Sequence, residues 1–163
     1  MNRLVVMGVS GCGKSTLAAA LAQALHCTAI EGDAYHLPAS QAKMRAGEPL
    51  TDADREPWLD RLGQLLAAAP GDAVLSCSAL KRSYRDRLRA RVPPLRFVFI
   101  EIDPALALQR VAARPGHFFP AALVASQFEA LESPLGESGV LGVSAALALP
   151  EQVGTALRWL EAG

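Results

Sequence analysis

Short apolar runs recur along the chain, and each is followed by a longer segment of helical composition. The apolar runs have the length of buried parallel strands and lie at 4–7, 27–30, 73–77, 96–102 and 140–144. The helical segments between and after them lie at 14–25, 39–46, 57–69, 81–91, 103–114, 120–131 and 151–161. This alternation predicts an α/β fold of three layers, in which a parallel sheet carries helices on both faces.

The order of the elements also predicts where the chemistry lies. Ligands of such sheets bind beyond the carboxyl ends of the strands, so the loops after the first four strands should form the site. We expect one domain, 1–163. Two connections, about 32–57 and about 114–131, are longer than plain crossovers. We expect the first to cover the substrate and the second to form a lid.

Composition and charge narrow the function classes. The 163 residues include 16 Lys and Arg and 16 Asp and Glu, so the formal net charge is zero. A long nucleic-acid surface or an anionic-membrane surface is therefore not expected, and the substrate should be a small molecule. Three cysteines without metal or redox spacing, and no apolar stretch near the roughly 20 residues of a membrane span, favour a reduced cytoplasmic protein.

The glycine-rich segment 8–15 is the strongest local motif. It reads G-V-S-G-C-G-K-S, matches G-x-x-x-x-G-K-[ST], and lies between an apolar strand and a helix. In such a phosphate loop the lysine, here Lys14, reaches the β- and γ-phosphates, and the hydroxyl of Ser15 ligates Mg²⁺. ATP and Mg²⁺ are thus the expected cofactors, with nucleotide contacts from Gly8, Ser10, Gly11, Cys12, Gly13, Lys14, Ser15 and Thr16. No N-K-x-D motif of a guanine-specific switch is present. Cys12 is expected to fill the loop and to be prone to oxidation, because a nearby helix N-terminus can lower a thiol pKa.

A polar cluster follows the second strand. A carboxylate there, Asp33, can accept the proton of an attacking hydroxyl or bind Mg²⁺ through water. A plain turn aspartate beside Gly32 fits the sequence equally well. Glu31 is the alternative acid, and His36 is a candidate substrate contact.

Basic residues stand at two further points. Lys81, Arg82 and Arg85 follow the third strand, where cations suit carboxylates and phosphates, although a solvated helix face is the alternative. Arg110 and Arg114 are four residues apart, share a helix face and precede a Pro-Gly break. This segment resembles the mobile lid of nucleoside monophosphate kinases, whose arginines meet the transferring phosphoryl group. We expect Arg110 to contact the nucleotide and Arg114 to be catalytic, while His117 is equally well a substrate contact or a packed loop residue.

Longer motifs resemble the bacterial gluconate kinases of the shikimate-kinase-like P-loop group. They are G-D-x-x-H at 32–36, K-M-x-x-G-x-P-L-x-D-x-D-R-x-P-W-L at 43–59, C-S-A-L-K-x-x-Y-R-D-x-L-R at 77–89, and G-H-F-F with Q-F-E-x-L at 116–131. The chain departs from the family pattern at Glu31 and Ser40, where the family usually has Asp and Asn.

The resemblance implies a nucleoside-monophosphate-kinase-like fold with a lid, ATP-dependent phosphorylation of gluconate at its 6-hydroxyl, and a homodimer. An open-chain polyol with one carboxylate requires a cation at one end and a base at the primary hydroxyl. Arg55, Arg82 and Arg85 are available cations, of which we favour Arg82 and Arg85, and Asp33 is the available base. A kinase for another small hydroxylated acid, such as shikimate, and a nucleotide-dependent regulator without turnover are the alternatives.

Overall fold

Five parallel strands form one sheet in the computed structural model, which describes residues 1–114 and 121–163. The strands are β1 Arg3–Met7, β2 Thr28–Glu31, β3 Ala73–Ser76, β4 Arg96–Glu101 and β5 Val140–Ser144. Their spatial order is β2-β3-β1-β4-β5, and Val5 of the central strand lies between Leu75 and Phe97. Because the strands run the same way, their carboxyl ends share one edge of the sheet.

Helices lie between each pair of successive strands, and one more helix follows β5. They are α1 Lys14–Ala24, α2 Pro38–Arg45, α3 Asp52–Ala68, α4 Arg82–Arg91, α5 Pro104–Ala112, α6 Ala121–Ala130 and α7 Leu149–Ala162. A 3₁₀ turn, Gly32–Tyr35, follows β2 directly. None of the helices among the described residues has the length and apolar composition to cross a membrane.

The side chains of β1 alternate between two apolar cores. Val5 and Met7 pack with residues of α3 and α4 on one face of the sheet. Leu4 and Val6 pack with residues of α1 and α7 on the other face. Because strand residues alternate between faces, a continuous apolar run is what a sheet covered on both sides requires. The predicted three-layer α/β architecture is confirmed.

Helix α3 begins earlier than the sequence pattern predicts. We expected Pro57 in the first turn, but it lies inside the helix, which begins at Asp52. The hydroxyl of Thr51 accepts from the Asp54 N–H, and the Asp54 carboxylate accepts from the Thr51 N–H. This capping box satisfies two free N–H groups. A hydrogen bond from Lys43, and after it the bond from the Thr51 N–H, lower the pKa of Asp54 to about 2. The capping box therefore determines where the helix begins. Pro57 has no N–H, so the helix lacks one backbone hydrogen bond on its exposed side.

Arg85 of α4 holds a distant loop against the sheet edge. Its side chain is fully buried and forms an ion pair with Glu137 at 2.7 Å. It also donates to the carbonyl oxygens of Ala79, Leu80 and Glu132. Burial acts to raise the pKa of Glu137, but bonds from Arg85 and Arg89 outweigh it, and the pKa lies below its usual value. This pair joins the loop after β3 to the segment before β5.

We predict that Arg85→Met destabilises the fold by about 3 kcal/mol, because it leaves a buried carboxylate with too few donors. Urea unfolding measures the loss. Arg82→Met is the matched control: its side chain is two-thirds exposed, and the change should cost under about 0.5 kcal/mol. Adding Glu137→Gln to Arg85→Met should restore part of the loss. Equal losses for Arg82→Met and Arg85→Met would contradict the structural role of the pair.

Candidate active site

The phosphate loop lies at the carboxyl edge of the sheet, between β1 and α1. Gly11 and Gly13 have φ angles of 84° and 94°, a left-handed conformation that glycine adopts without strain. A Cβ at Gly11 would lie 2.7 Å from the carbonyl oxygen of Ala107, so no larger residue fits. Gly13 caps α1 without a side-chain bond, and the first-turn N–H groups therefore remain available to a phosphate.

The side chains of the loop fit a nucleotide with its metal. Lys14 is nearly buried yet lines the main cavity together with Ser10. Ser15 and Thr16 are exposed in the first turn of α1, and Gly8 is buried at the end of β1. The described residues contain no group of three or more His, Cys, Asp or Glu side chains that could hold a metal by themselves. The exposed hydroxyl of Ser15 is the kind of oxygen ligand that Mg²⁺ binds together with phosphate oxygens and several waters.

Cys12 is a packed loop residue. Its side chain is 2% exposed, and a Cβ at Gly8 would lie 2.7 Å from its sulfur. Burial raises the pKa of the Cys12 thiol, although Lys14 and Arg110 partly oppose the rise. Loop filling agrees with the expectation from sequence, whereas ready oxidation does not, because the thiol is neither accessible nor acidic.

A cavity of about 380 Å³ opens beside the phosphate loop. It brings together residues from the loop, the 3₁₀ turn, three helices and the segment after β3. Its lining residues are Ser10, Lys14, Asp33, His36, Gln41, Met44, Arg45, Leu50, Arg55, Ser78 and Gln127. The predicted residues Lys14, Asp33, His36 and Arg55 thus share one cavity, although they lie in separate segments of the chain.

Trp58 supports the turn that carries Asp33. Its indole N–H donates to the carbonyl oxygen of Gly32 at 2.8 Å, and its ring stacks on His36 with centroids 4.1 Å apart. His36 Nε2 lies 3.6 Å from Asp33 Oδ1. A Cβ at Gly32 would lie 2.3 Å from the Ser76 carbonyl oxygen, so glycine lets the turn approach β3. The sequence motif 32–36 thus holds Asp33 at the cavity through packing from α3.

Two arginines bring positive charge to the cavity. Arg55 of α3 donates to the Leu50 carbonyl oxygen at 2.6 Å and lies 3.5 Å from the Tyr84 hydroxyl. Arg45, the last residue of α2, lines the same cavity and was missed by the sequence reasoning. A cation in the last turn of a helix is common, since it interacts favourably with the helix dipole. The position of Arg45 in the sequence therefore did not indicate a function.

The basic residues after β3 lie away from the cavity, which contradicts the preference for Arg82 and Arg85 over Arg55. Lys81 forms an ion pair with Asp52 at 2.9 Å. Arg82 is exposed and lies 3.7 Å from Asp86. Arg85 is buried in its pair with Glu137. In the segment that follows β3, Ser78 lines the cavity but the basic residues do not. Helix α4 runs back along the sheet and so carries the basic residues away from the cavity.

Arg110 lies near the end of α5 and Arg114 just beyond it, and their surroundings differ. Arg110 donates to the carbonyl oxygens of Gly11 and Ala145 and so links the phosphate loop to the loop after β5. Arg114 follows the helix and is exposed. His117 and the Pro115-Gly116 break lie outside the described residues. The roles of Arg110, Arg114 and His117 stay predictions.

Comparison with known proteins identifies the family. Residues 4–135 match the family described as AAA domain. The chain is 50% identical over 145 residues to the gluconokinase of Gluconobacter oxydans (strain 621H), covering 86% of this chain and 81% of the relative. It matches the crystal structure of a gluconokinase from Sinorhizobium meliloti 1021 with a TM-score of 0.90 at 47% identity, over 98% of this chain and 91% of that one. A sugar kinase from Janibacter sp. HTCC2649 matches with a TM-score of 0.93 at 37% identity, over 99% and 95% of the two chains.

The high TM-scores agree with the fold described above. These similarities also confirm the resemblance that the motifs at 32–59 and 77–89 carry. The chain belongs to the AAA-domain family of P-loop proteins and, within it, to the gluconokinases.

Proposed function

We propose that the protein phosphorylates D-gluconate on its 6-hydroxyl, with ATP as the donor and Mg²⁺ as the cofactor. One observation carries this proposal: a single cavity of about 380 Å³ contains the phosphate loop, one carboxylate and two guanidinium groups. A sugar acid requires these three elements, since it offers a hydroxyl to the phosphoryl group and a carboxylate to a cation. The gluconokinase family of the chain supports the choice of acid.

The donor half of the reaction uses the phosphate loop. The first-turn N–H groups of α1 and the Lys14 ammonium bind the β- and γ-phosphates and stabilise their charge during transfer. Bound Mg²⁺ would supply further charge neutralisation, and the hydroxyl of Ser15 would be its protein ligand. Arg110 holds the loop through the Gly11 carbonyl oxygen. Arg114 is proposed to reach the transferring phosphoryl group from the segment after α5.

The acceptor half uses Asp33. As the bond from the 6-oxygen to phosphorus forms, the hydroxyl proton passes to the Asp33 carboxylate and ADP leaves. Such a transfer is governed by position more than by basicity, and Asp33 is positioned by the Trp58–Gly32 bond and by the adjacent His36. His36 is also proposed to bind the acceptor, because it lines the cavity.

The carboxylate of the acceptor is proposed to bind Arg55, with Arg45 beside it. Guanidinium groups bind carboxylates through two parallel bonds. The Leu50 carbonyl oxygen holds Arg55 at the cavity wall, so its orientation is fixed before the acceptor arrives. Met44 and Leu50 supply the apolar part of the wall. A homodimer, which rests on the family resemblance, and a cytoplasmic location, which rests on the cysteine pattern, are proposals as well.

Coupled ADP release with a panel of acceptors tests the function. We expect turnover with gluconate to exceed turnover with gluconolactone, glucose and shikimate. Gluconolactone and glucose lack a carboxylate and leave a desolvated cation unpaired, at a cost of about 1–3 kcal/mol. Shikimate has a carboxylate but offers only secondary ring hydroxyls to the phosphoryl group. Lys14→Ala serves as the blank and should nearly abolish turnover without unfolding the protein. Faster turnover with glucose, or with shikimate, would overturn the sugar-acid assignment.

The carboxylate site is tested by a matched pair of arginine substitutions. Arg55→Gln should raise the KM for gluconate by about 10–100-fold, the equivalent of the 1.5–3 kcal/mol of a charged hydrogen bond, and should leave the KM for ATP nearly unchanged. Arg82→Gln removes the same charge outside the cavity and should change neither constant. A larger effect from Arg82→Gln would restore the original preference for that residue.

The general base is tested by exchanging acids for amides. Asp33→Asn keeps the shape of the side chain but removes the charge, and it should lower kcat by about 10²–10⁴-fold while ATP still binds. Glu31→Gln is the control, because Glu31 lies at the end of β2 and does not line the cavity. Normal turnover of Asp33→Asn together with an inactive Glu31→Gln would reverse the two roles.

A further inference from the structure

Helix α6 brings one polar side chain to the phosphate loop. Gln127 Oε1 accepts a hydrogen bond from the Ser10 N–H at 2.7 Å, across 117 residues of sequence. The helix is held there by its apolar face, since Val124 packs in one cluster with Val9 of the loop and Val111 of α5. Gln127 is therefore fixed at the loop by packing as well as by its own bond.

The chemistry of this bond determines what else the amide offers. A backbone N–H only donates, so the side-chain oxygen must face Ser10. The remaining groups of the amide are its two N–H donors. Gln127 lines the same cavity as Lys14 and Asp33, which are the proposed phosphate and acceptor contacts. The residue thus adds a neutral hydrogen-bond donor between the two halves of the site.

We propose that Gln127 is a catalytic residue that donates a side-chain N–H to an oxygen of the γ-phosphoryl group during its transfer, with the amide orientation set by Ser10. The proposal rests on the kinase function proposed above. A donor fixed in advance at an oxygen that carries charge in the transition state lowers the barrier without reorganisation. The rival role is a brace, in which only the oxygen matters and the amide N–H groups touch nothing that reacts.

Two substitutions separate donor from brace. Gln127→Glu keeps an acceptor for the Ser10 N–H but lacks the donor when ionised. Gln127→Met keeps the length and removes both groups without adding charge. We expect both to lower kcat at pH 8 by about 10²-fold, the usual cost of one such donor, while the dissociation constant of ATP measured by calorimetry for Gln127→Met changes less than about threefold. A brace would instead lose ATP affinity in Gln127→Met. Ionised Gln127→Glu loses activity under either role because its charge repels the phosphates, so Gln127→Met is the deciding variant at pH 8.

The pH profile supplies the second readout. As the pH falls from about 8.5 to 5.5, the carboxyl introduced by Gln127→Glu gains a proton, because the nearby phosphates raise its pKa above the usual value of about 4.3. The protonated carboxyl then offers the Ser10 N–H an acceptor and the phosphoryl group a donor. The kcat of Gln127→Glu relative to the wild type should therefore rise at least tenfold. The same ratio for Gln127→Met should stay flat. The charged or titrating groups that line the cavity, Lys14, Asp33, His36, Arg45 and Arg55, are common to all three proteins, so their own titration cancels in the ratios. The cations among them oppose the rise that the phosphates cause in the pKa of the introduced carboxyl.

Near wild-type kcat for either variant at pH 8 overturns the donor role. It is also overturned if the kcat of Gln127→Glu relative to the wild type does not change with pH. The ratios are measured with whichever acceptor of the panel the wild-type protein phosphorylates. An unexpected acceptor then contradicts the proposed substrate and leaves the assignment of Gln127 to be decided by the ratios alone.

Discussion

The turn from β1 into α1 is the constraint on which the site depends. Its backbone must turn sharply enough to present the first-turn N–H groups of α1 to a phosphate, and it does so with left-handed glycines at 11 and 13. It must also lie within van der Waals contact of α5, where Gly11 meets the Ala107 carbonyl oxygen. A loop that is held this closely loses little entropy when a nucleotide binds, which is the physical basis of pre-organisation.

Side chains of two neighbouring helices bond to this loop from two sides. Arg110 of α5 donates to the Gly11 carbonyl oxygen, and Gln127 of α6 accepts from the Ser10 N–H. Each of these two helices therefore bonds to the phosphate loop through one side chain. The cluster of Val9, Val111 and Val124 supplies the apolar contact that keeps both helices beside it.

The distribution of arginines separates structural from binding charges. Helix α4 has many arginines, yet Arg87 forms an ion pair with Asp60 and Arg89 with Glu137, so these cations are neutralised within the fold. Arg55 is different, because its hydrogen bonds go to the uncharged oxygens of Leu50 and Tyr84. Among the described residues it forms no ion pair, and its charge is held in a position that suits an anionic ligand.

The sequence by itself determined the architecture and the donor site. Strand and helix alternation depends on local periodicity, and the phosphate loop is a continuous motif whose geometry follows from its glycines. Asp33, His36 and Arg55 were also found, since they lie in motifs that resemble a known family. Tertiary structure decided the rest: it placed Arg82 and Arg85 outside the cavity and brought Arg45 and Gln127 into it. These outcomes depend on how helices far apart in the chain pack on the sheet, and side-chain direction across such contacts is set by packing geometry and burial, which no local pattern encodes.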